Sequence, residues 1–235
     1  MSDHDHTYWK SLTRLINLTN KQTFIDVGAN IGAFTEKLNR DYPGATIFAF
    51  EPTPVAFKAL RGKFGSHPKI NLINAALWDT DGQINFEVHE NSATSSPYPR
   101  NYSGRRYYSA DDKVSEKIEV KTHSLDHMVS DYGIQHIDFI KLDTQGSELK
   151  IFSGAESLLL QQKIDVIYTE FFLVPHYQGA PLLNDLWNIL SASGYSIFDW
   201  FKGPNASNGQ SRFGDALFIS DSFRKNKLDA YDQEP

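Results

Sequence analysis

Short apolar segments alternate with amphipathic ones along most of this 235-residue chain, and the alternation predicts a regular order of strands and helices. A first helix is predicted at 7–19, followed by strands at 23–27, 45–51, 70–77, 137–142 and 164–169 and helices at 31–40, 54–63, 148–160 and 184–192. The last two strands, 197–201 and 216–220, are joined by a loop rich in Gly, Asn and Ser, which favours antiparallel pairing. The pattern predicts an α/β fold: a doubly wound, Rossmann-like, mostly parallel seven-stranded sheet with an antiparallel last strand.

A β-hairpin is predicted to interrupt this alternation, with strands at 83–89 and 117–121. The polar segment between them, 90–115, is long for a loop in a compact domain, and we expect it to form a lid over a substrate site. The side chains of the lid that suit a sugar or a phosphate are Tyr98, Arg100, Tyr102, Arg105, Arg106, Tyr107 and Tyr108. The same side chains equally suit a solvated loop or an oligomer contact. We therefore expect a helical extension at 1–22, one domain at 23–221 and a flexible tail at 222–235.

The glycine turn after the first of these strands indicates the kind of ligand. Asp26, Gly28 and Gly32 frame the turn, which lacks the middle glycine of a diphosphate-binding loop. The Asp26 carboxylate would repel a diphosphate and suits an ammonium group, and the two glycines are expected to let the backbone approach a ligand. Glu51, at the end of the second strand, is expected to accept hydrogen bonds from ribose hydroxyls. S-adenosylmethionine fits this set because it carries no phosphate, and the expected cofactor-binding residues are Asp26, Gly28, Asn30, Gly32, Glu51, Ala76 and Asp143.

Composition and charge narrow the choice of partners. The net charge of -6 and a pI near 5.7 argue against nucleic acid as a partner. The sequence contains no cysteine, no apolar signal core and no apolar run long enough to span a membrane. We expect a cytoplasmic protein whose partner is a small-molecule or glycan acceptor, and a homo-oligomer is compatible with the sequence.

Several motifs together resemble one enzyme family. DVGANIGAFT, FAFEP, NAALWD, HSLD, IDFIKLDTQGSELKIFSGA and GDALFI are similar to FkbM-family S-adenosylmethionine-dependent methyltransferases, over about residues 23–220. The glycine turn is shared by class I methyltransferases in general, and KLDTQGSEL is the more specific segment. It departs from the commoner family form, which has Glu at the position of Gln145. The resemblance implies methylation of a hydroxyl on a small molecule, a sugar or glycan, or a natural product.

Methyl transfer to a hydroxyl requires a general base. The candidate catalytic residues are Asp143, Glu148, Glu170 and His176. Two of these residues also have a structural interpretation: Asp143 could cap a helix, and Glu148 suits a helix N-terminus. Asp143 and Glu170 could instead hold Mg²⁺, as acids on the same strands do in catechol-type methyltransferases. Because the sequence shows no clear third ligand, we expect no metal.

Other protein classes fit the sequence less well. A nicotinamide oxidoreductase is disfavoured by the missing glycine and by the lack of a Tyr-x-x-x-Lys pair. A nucleic-acid amino-methyltransferase would have an Asp/Asn-Pro-Pro-aromatic turn where this chain has LDTQ. A protein that binds S-adenosylmethionine without turnover remains an alternative. Substitution of Asp143 or Glu170 would distinguish it from an enzyme, which should lose rate more than cofactor affinity.

Overall fold

The computed structural model describes residues 3–101 and 113–229, with side chains from residue 8 onwards. The strands are β1 (Thr23–Val27), β2 (Thr46–Phe50), β3 (Ile70–Ile73), β4 (Ala76–Trp78), β5 (Gly82–His89), β6 (Val114–Ser124), β7 (Ile137–Leu142), β8 (Ile164–Phe172), β9 (Tyr195–Lys202) and β10 (Phe213–Ser220). The α-helices are α1 (Asp3–Ile16), α2 (Ala33–Asp41), α3 (Pro54–Phe64), α4 (Leu125–Asp131), α5 (Glu148–Ser153), α6 (Glu156–Leu160), α7 (Leu183–Ala192) and α8 (Asp221–Phe223).

Seven strands form the main sheet in the order β3-β2-β1-β7-β8-β10-β9. The β1, β2, β3, β7 and β8 neighbours pair in parallel, and β10 pairs antiparallel with both β8 and β9. The predicted α/β fold with an antiparallel last strand is confirmed. The strand order reverses between β1 and β7, and ligands of such sheets bind outside the carboxyl ends of the strands at that point.

Two hydrophobic cores cover the two faces of the sheet. Successive strand residues point to opposite faces, so Phe24 lies in one core and Ile25 in the other. All six residues of β7 are buried, as expected for a central strand with helices on both faces. Leu12 and Leu15 of α1 are fully buried in the same core as Phe24. The first helix therefore packs onto the sheet and carries Tyr8 towards the strand ends.

The predicted strand at 70–77 is divided in two. β3 ends at Ile73, and β4 joins a separate three-stranded sheet in the order β4-β6-β5. The side-chain amide of Asn74 donates to the Glu51 carbonyl oxygen at 2.9 Å, so a side chain rather than a backbone N–H bonds to the residue that follows β2. The predicted hairpin is present as β5 and β6, which pair antiparallel.

The predicted helix at 148–160 is wrong as a single element, because α5 ends at Ser153 and α6 begins at Glu156. A Cβ atom on Gly154 would lie 2.1 Å from the carbonyl oxygen of Trp78, so the chain passes close to β4 there. The carbonyl of Gly154 accepts from the backbone N–H of Asp126 instead of continuing a helix.

The predicted flexible tail is wrong for residues 222–229. Residues Arg224–Leu228 form a π-helical turn after α8, and Phe223 and Leu228 are buried. Burial of these two apolar side chains offsets the entropy of ordering the segment. Residues 230–235 lie outside the described part of the chain.

Part of the predicted lid is packed against the body of the protein. Residue Ser96 pairs with Glu87 of β5, and the buried Arg100 pairs with Tyr177. Tyr102, Arg105, Arg106, Tyr107 and Tyr108 lie outside the described residues. The domain boundaries and the lid therefore stay predictions. In the described ranges, no helix combines the length and the apolar character needed to cross a membrane.

Candidate active site

Two clefts open at the carboxyl ends of the parallel strands. The first, here called the Glu51 cleft, has Phe50, Glu51, Ala76 and Phe86 among its lining residues. The second, here called the Tyr8 cleft, is larger, has Tyr8, Phe34 and Tyr168 among its lining residues, and reaches from β1 and β7 to Glu170 and Asp215. Gly28, Asn30 and Asp143 line both clefts. The clefts therefore meet at the switch point between β1 and β7.

Glu51 presents a carboxylate to the first cleft from the end of β2. The backbone N–H of Asn30 donates to its Oε2 at 2.9 Å, and Thr53 donates to Oε1 through both its N–H and its hydroxyl. Burial raises the pKa of Glu51, and the hydrogen bonds from Thr53 and Asn30 oppose that rise. The carboxylate is held in one orientation by these donors. It can accept further hydrogen bonds on its remaining lone pairs.

Asp26 and Lys141 form a buried ion pair behind the glycine turn. Their Cα atoms are register partners across β1 and β7, and Lys141 Nζ lies 3.3 Å from Asp26 Oδ1. The other oxygen of Asp26 accepts from the Thr35 hydroxyl at 2.6 Å. Burial acts to lower the pKa of Lys141, but attraction to Asp26 and then Asp143 outweighs it and raises the pKa to about 12. Asp26, predicted as a cofactor ligand, therefore lines neither cleft and anchors the turn from below.

Packing inside the protein requires a glycine at both conspicuous positions of the turn. Gly28 has φ +74°, and a Cβ there would lie 2.1 Å from the Asp143 carbonyl oxygen. Gly32 has φ +84°, and a Cβ there would lie 2.7 Å from side-chain atoms of Leu60 and Phe64. The backbone of Gly28 lines both clefts, whereas Gly32 lines neither, and the expectation that these glycines let the backbone approach a ligand stays a prediction.

Gln145 bridges the two carboxylates that the sequence placed at adjacent strand ends. Its side-chain nitrogen lies 3.1 Å from Asp143 Oδ1 and 2.7 Å from Glu170 Oε2. Its side-chain oxygen lies 2.9 Å from the Tyr177 hydroxyl, and its φ is +55°. The residue is thus fixed in an uncommon backbone conformation by contacts on both ends of its amide. An amide N–H₂ group facing both carboxylates occupies the position that a shared cation would take, which opposes the Mg²⁺ alternative.

A different part of the fold holds a group with metal-ligand chemistry. Among the described residues, His136, Asp138 and Asp165 bring ligand atoms within 4.8 Å of one another. They lie at the start of β7 and β8, the opposite edge of the sheet from the clefts. Asp138 accepts from the backbone N–H groups of Asn20, Gln22 and Thr23, and His136 is 3.0 Å from Asp165. These contacts assign the group a structural role in fixing the start of β1.

Glu170 and Glu148 are both acids with raised pKa values, but only Glu170 reaches a cleft. Burial, then the charges of Asp143 and Glu148, raise the pKa of Glu170 well above its usual range. Glu148 is 2% exposed, lines neither cleft, and has its pKa raised to about 7, first by burial. Its Oε1 accepts from both the N–H and the hydroxyl of Thr144. Glu148 therefore ties the segment after β7 to α5.

His176, a candidate base in the sequence, packs against an aromatic ring outside both clefts. Its ring stacks on Phe172 with centroids 4.7 Å apart, and it lines neither cleft. Burial, then the charges of Arg212 and Arg100, lower its pKa to about 4. A base with so low a pKa is weak at neutral pH. We therefore assign His176 a packing role.

Of the predicted site residues, the clefts bring together Gly28, Asn30, Glu51, Ala76, Asp143 and Glu170.

Four residues that line the Tyr8 cleft were not predicted from the sequence: Tyr8, Lys141, Tyr168 and Asp215. The sequence did carry a signal for Lys141, which lies late in a largely apolar strand, two positions before Asp143, so that strand alternation puts both on one side. A lysine buried in such a strand requires a counter-ion. Tyr8 and Asp215 had no such signal because they are distant in sequence from the motifs.

The chemistry of the Glu51 cleft fits S-adenosylmethionine. The fixed Glu51 carboxylate suits the ribose hydroxyls, and Phe50, Ala76 and Phe86 offer apolar walls to adenine. The carboxylate of Asp143, where the clefts meet, suits an ammonium group. A diphosphate would face these carboxylates without the glycine-rich cradle of N–H donors that it needs.

Comparison with known proteins agrees with this geometry. The putative sarcosine dimethylglycine methyltransferase from Galdieria sulphuraria has a similar fold, with a TM-score of 0.52, 13% identity and coverage of 92% of this chain and 85% of that one. The fold and the clefts define a class I, S-adenosylmethionine-dependent methyltransferase. The family model "Methyltransferase FkbM domain" matches residues 26–197. The chain belongs to the FkbM methyltransferase family, as the motifs predicted.

Curated relatives in this family are distant. The 2-O-methyltransferase NoeI of Sinorhizobium fredii is 26% identical, over 75% of this chain and 75% of its own length. The 31-O-demethyl-FK506 methyltransferase FkbM of Streptomyces tacrolimicus is 27% identical, over 60% of this chain and 62% of its own. The hexuronic acid methyltransferase AglP of Haloferax volcanii is 27% identical, over 62% and 54% respectively. The chain spans between about half and three quarters of the length of these relatives.

Proposed function

We propose that this methyltransferase acts on a hydroxyl oxygen of a sugar or a related natural product. The observation that carries the proposal is the meeting of two clefts at Gly28, Asn30 and Asp143. Methyl transfer requires a donor and an acceptor to be held in line at one point. Relatives named as 2-O- and 31-O-methyltransferases support the choice of oxygen, and AglP supports a sugar.

The Glu51 cleft would hold the cofactor through Glu51, Ala76 and Asp143. When bound, S-adenosylmethionine supplies a methyl group on a positively charged sulfur. The chain's own residues then have three tasks: to fix the ribose at Glu51, to hold the amino-acid end at Asp143, and to exclude water from the junction of the clefts. The Tyr8 cleft would orient the acceptor hydroxyl toward that junction.

Glu170 is the residue that we assign to proton removal. It lines the Tyr8 cleft, and its raised pKa makes it a stronger base than an ordinary carboxylate. Gln145 donates to one of its oxygens and fixes the orientation of the carboxylate. Asp143 also lies at the junction, but its position suits the ammonium group of the cofactor.

Calorimetry on the purified protein tests the cofactor half of the proposal. S-adenosylmethionine should bind, NAD⁺ should not, and a metal chelator should leave the affinity unchanged. Glu51→Ala should weaken binding, whereas Glu119→Gln, which removes an exposed carboxylate on β6, should not. Binding of NAD⁺ in place of S-adenosylmethionine would refute the assignment while leaving the fold intact.

Glu170→Gln tests the catalytic half. Loss of a general base lowers the rate typically about 10²–10⁴-fold. We expect such a loss in methyl transfer with little change in affinity for S-adenosylmethionine, and the opposite for Glu51→Ala. A Glu170→Gln variant with the wild-type rate would remove Glu170 from the mechanism. Glu119→Gln is the control because it makes the same change at an exposed acid on β6 that lines neither cleft.

A further inference from the structure

The Tyr8 cleft is strongly acidic. Asp143, Glu170 and Asp215 all line it, and Asp215 lies directly opposite Glu170 in the β8–β10 register. Lys141 is the cation among the described lining residues, and it is 5% exposed and paired with the fully buried Asp26. Lys141 is shared, since its Nζ lies 3.3 Å from Asp26 Oδ1 beneath the turn and 3.6 Å from Asp143 Oδ2 in the cleft. Three acids and one shared cation therefore line the space that an acceptor would enter.

The cleft also has an aromatic wall. The rings of Tyr8 and Tyr168 are stacked with centroids 5.7 Å apart, and Tyr168 stacks on Phe34 at 6.1 Å. Lys37 donates to the Tyr8 hydroxyl at 3.3 Å and lies 3.8 Å from the ring centroid of Trp9, but it does not line the cleft. An aromatic wall beside hydrogen-bond acceptors suits a ring that is apolar on one face and carries hydroxyls at its edge.

Two lining residues come from segments that the family model does not cover. The match spans residues 26–197, whereas Tyr8 belongs to α1 and Asp215 to β10. Asp215 is also hydrogen-bonded to the hydroxyl of Tyr168. The aromatic wall and the acidic edge of the cleft are therefore joined by the contact between Tyr168 and Asp215.

We propose that the Tyr8 cleft selects a hydroxylated ring that carries no anionic group, and that it prefers an amino sugar with a free ammonium group to its uncharged counterpart. Asp215 and Tyr8 are the residues that set this selectivity. The proposal rests on the proposed function, because it takes this cleft as the acceptor site. Hydroxyl and ammonium groups donate charge-assisted hydrogen bonds to carboxylates, whereas an anionic acceptor would bring like charges together in a partly desolvated space.

Three matched probes test the proposal: methyl glucosaminide, methyl glucoside and methyl glucuronide, which are cationic, neutral and anionic. The transfer of a labelled methyl group from saturating S-adenosylmethionine is measured for each. We expect kcat/KM to fall in that order, with at least a tenfold difference between the first and the last. Asp215→Asn should reduce this ratio about tenfold, which corresponds to about 1.4 kcal/mol. Tyr8→Ala should lower kcat/KM for the amino sugar and the glucoside alike.

Control measurements separate this inference from the proposed function. Glu119→Gln removes one exposed carboxylate far from the cleft and should leave the ratio unchanged. Each variant is first checked for its melting temperature and for binding of S-adenosylmethionine. If the cofactor does not bind the wild-type protein, the proposed function fails. If it binds but the glucuronide is the best acceptor, or none of the three is methylated, or Asp215→Asn leaves the ratio unchanged, only the selectivity proposal is overturned.

Discussion

Replacement of Glu148 by Gln should stabilise the protein, increasingly so as the pH rises. The pKa of this buried carboxyl is about 7 in the folded protein, against 4.5 for the ordinary group. A folded pKa above the unfolded value means that the folded state binds the proton more tightly. Stability contributed by the protonated acid is therefore complete below pH 4.5 and is lost as the pH rises to 7. Each pKa unit corresponds to about 1.36 kcal/mol, so ionised Glu148 should lower the free energy of unfolding by roughly 3 kcal/mol above pH 7.

Glutamine avoids this loss while it keeps the local contacts. Its side-chain carbonyl can still accept from the N–H and hydroxyl of Thr144, as Oε1 of Glu148 does. Urea unfolding of both proteins at pH 5 and pH 8 should show that the advantage of the variant grows by roughly 2–3 kcal/mol between the two pH values. Glu119→Gln, at an exposed site, should show no such growth. A difference between Glu148→Gln and wild type that is the same at both pH values would refute the reasoning.

Three further predictions concern the residues around the junction of the clefts. Gly28→Ala should reduce the free energy of unfolding by about 2–4 kcal/mol in urea titrations. The reason is that the added Cβ would lie 2.1 Å from the Asp143 carbonyl oxygen, at a residue with φ +74°. Gly44→Ala, at a position with open space around it, should change the free energy of unfolding little. Lys141→Met should lower the free energy of unfolding by about 3–5 kcal/mol, because Asp26 is left buried without its cation. Adding Asp26→Asn should recover much of this stability, and no recovery in the double variant would contradict the ion-pair account. Gln145→Glu should replace the bridging N–H₂ group by a third carboxylate beside Asp143 and Glu170. The variant should then bind Mn²⁺, which electron paramagnetic resonance detects. A wild-type protein that already binds Mn²⁺ at this position would contradict the assigned role of Gln145.

The sheet and its ligand-binding edge were predictable from the sequence because both depend on local patterns. Largely apolar segments such as 137–142 are buried on both faces in a parallel sheet, and polar residues follow their ends. Glu51, Asp143 and Glu170 were found in this way, since each follows such a run. The glycine turn was recognised for the same reason, although Gly28 and Gly32 proved to be required by contacts with neighbouring elements.

Contacts between segments that are distant in sequence could not be predicted from the sequence. Nothing in the sequence indicates that Tyr8 stacks on Tyr168 or that Asp215 lies opposite Glu170, because these pairings depend on how α1 and β10 dock onto the sheet. The break at Gly154 has the same origin, since it follows from the passage of Trp78 close to that backbone. His176 appeared suitable as a base from its position in a loop, but its packing against Phe172 decides its pKa.

A crystal structure of the protein with S-adenosylhomocysteine would test most directly whether the Glu51 cleft holds the cofactor and the Tyr8 cleft holds the acceptor. We expect the nucleoside to lie in the Glu51 cleft, with its ribose hydroxyls on Glu51 and its amino-acid end beside Asp143. The space between Tyr8, Glu170 and Asp215 should remain open for an acceptor. A nucleoside bound in the Tyr8 cleft would contradict the account, because no site would then remain beside Glu170 for the hydroxyl that accepts the methyl group.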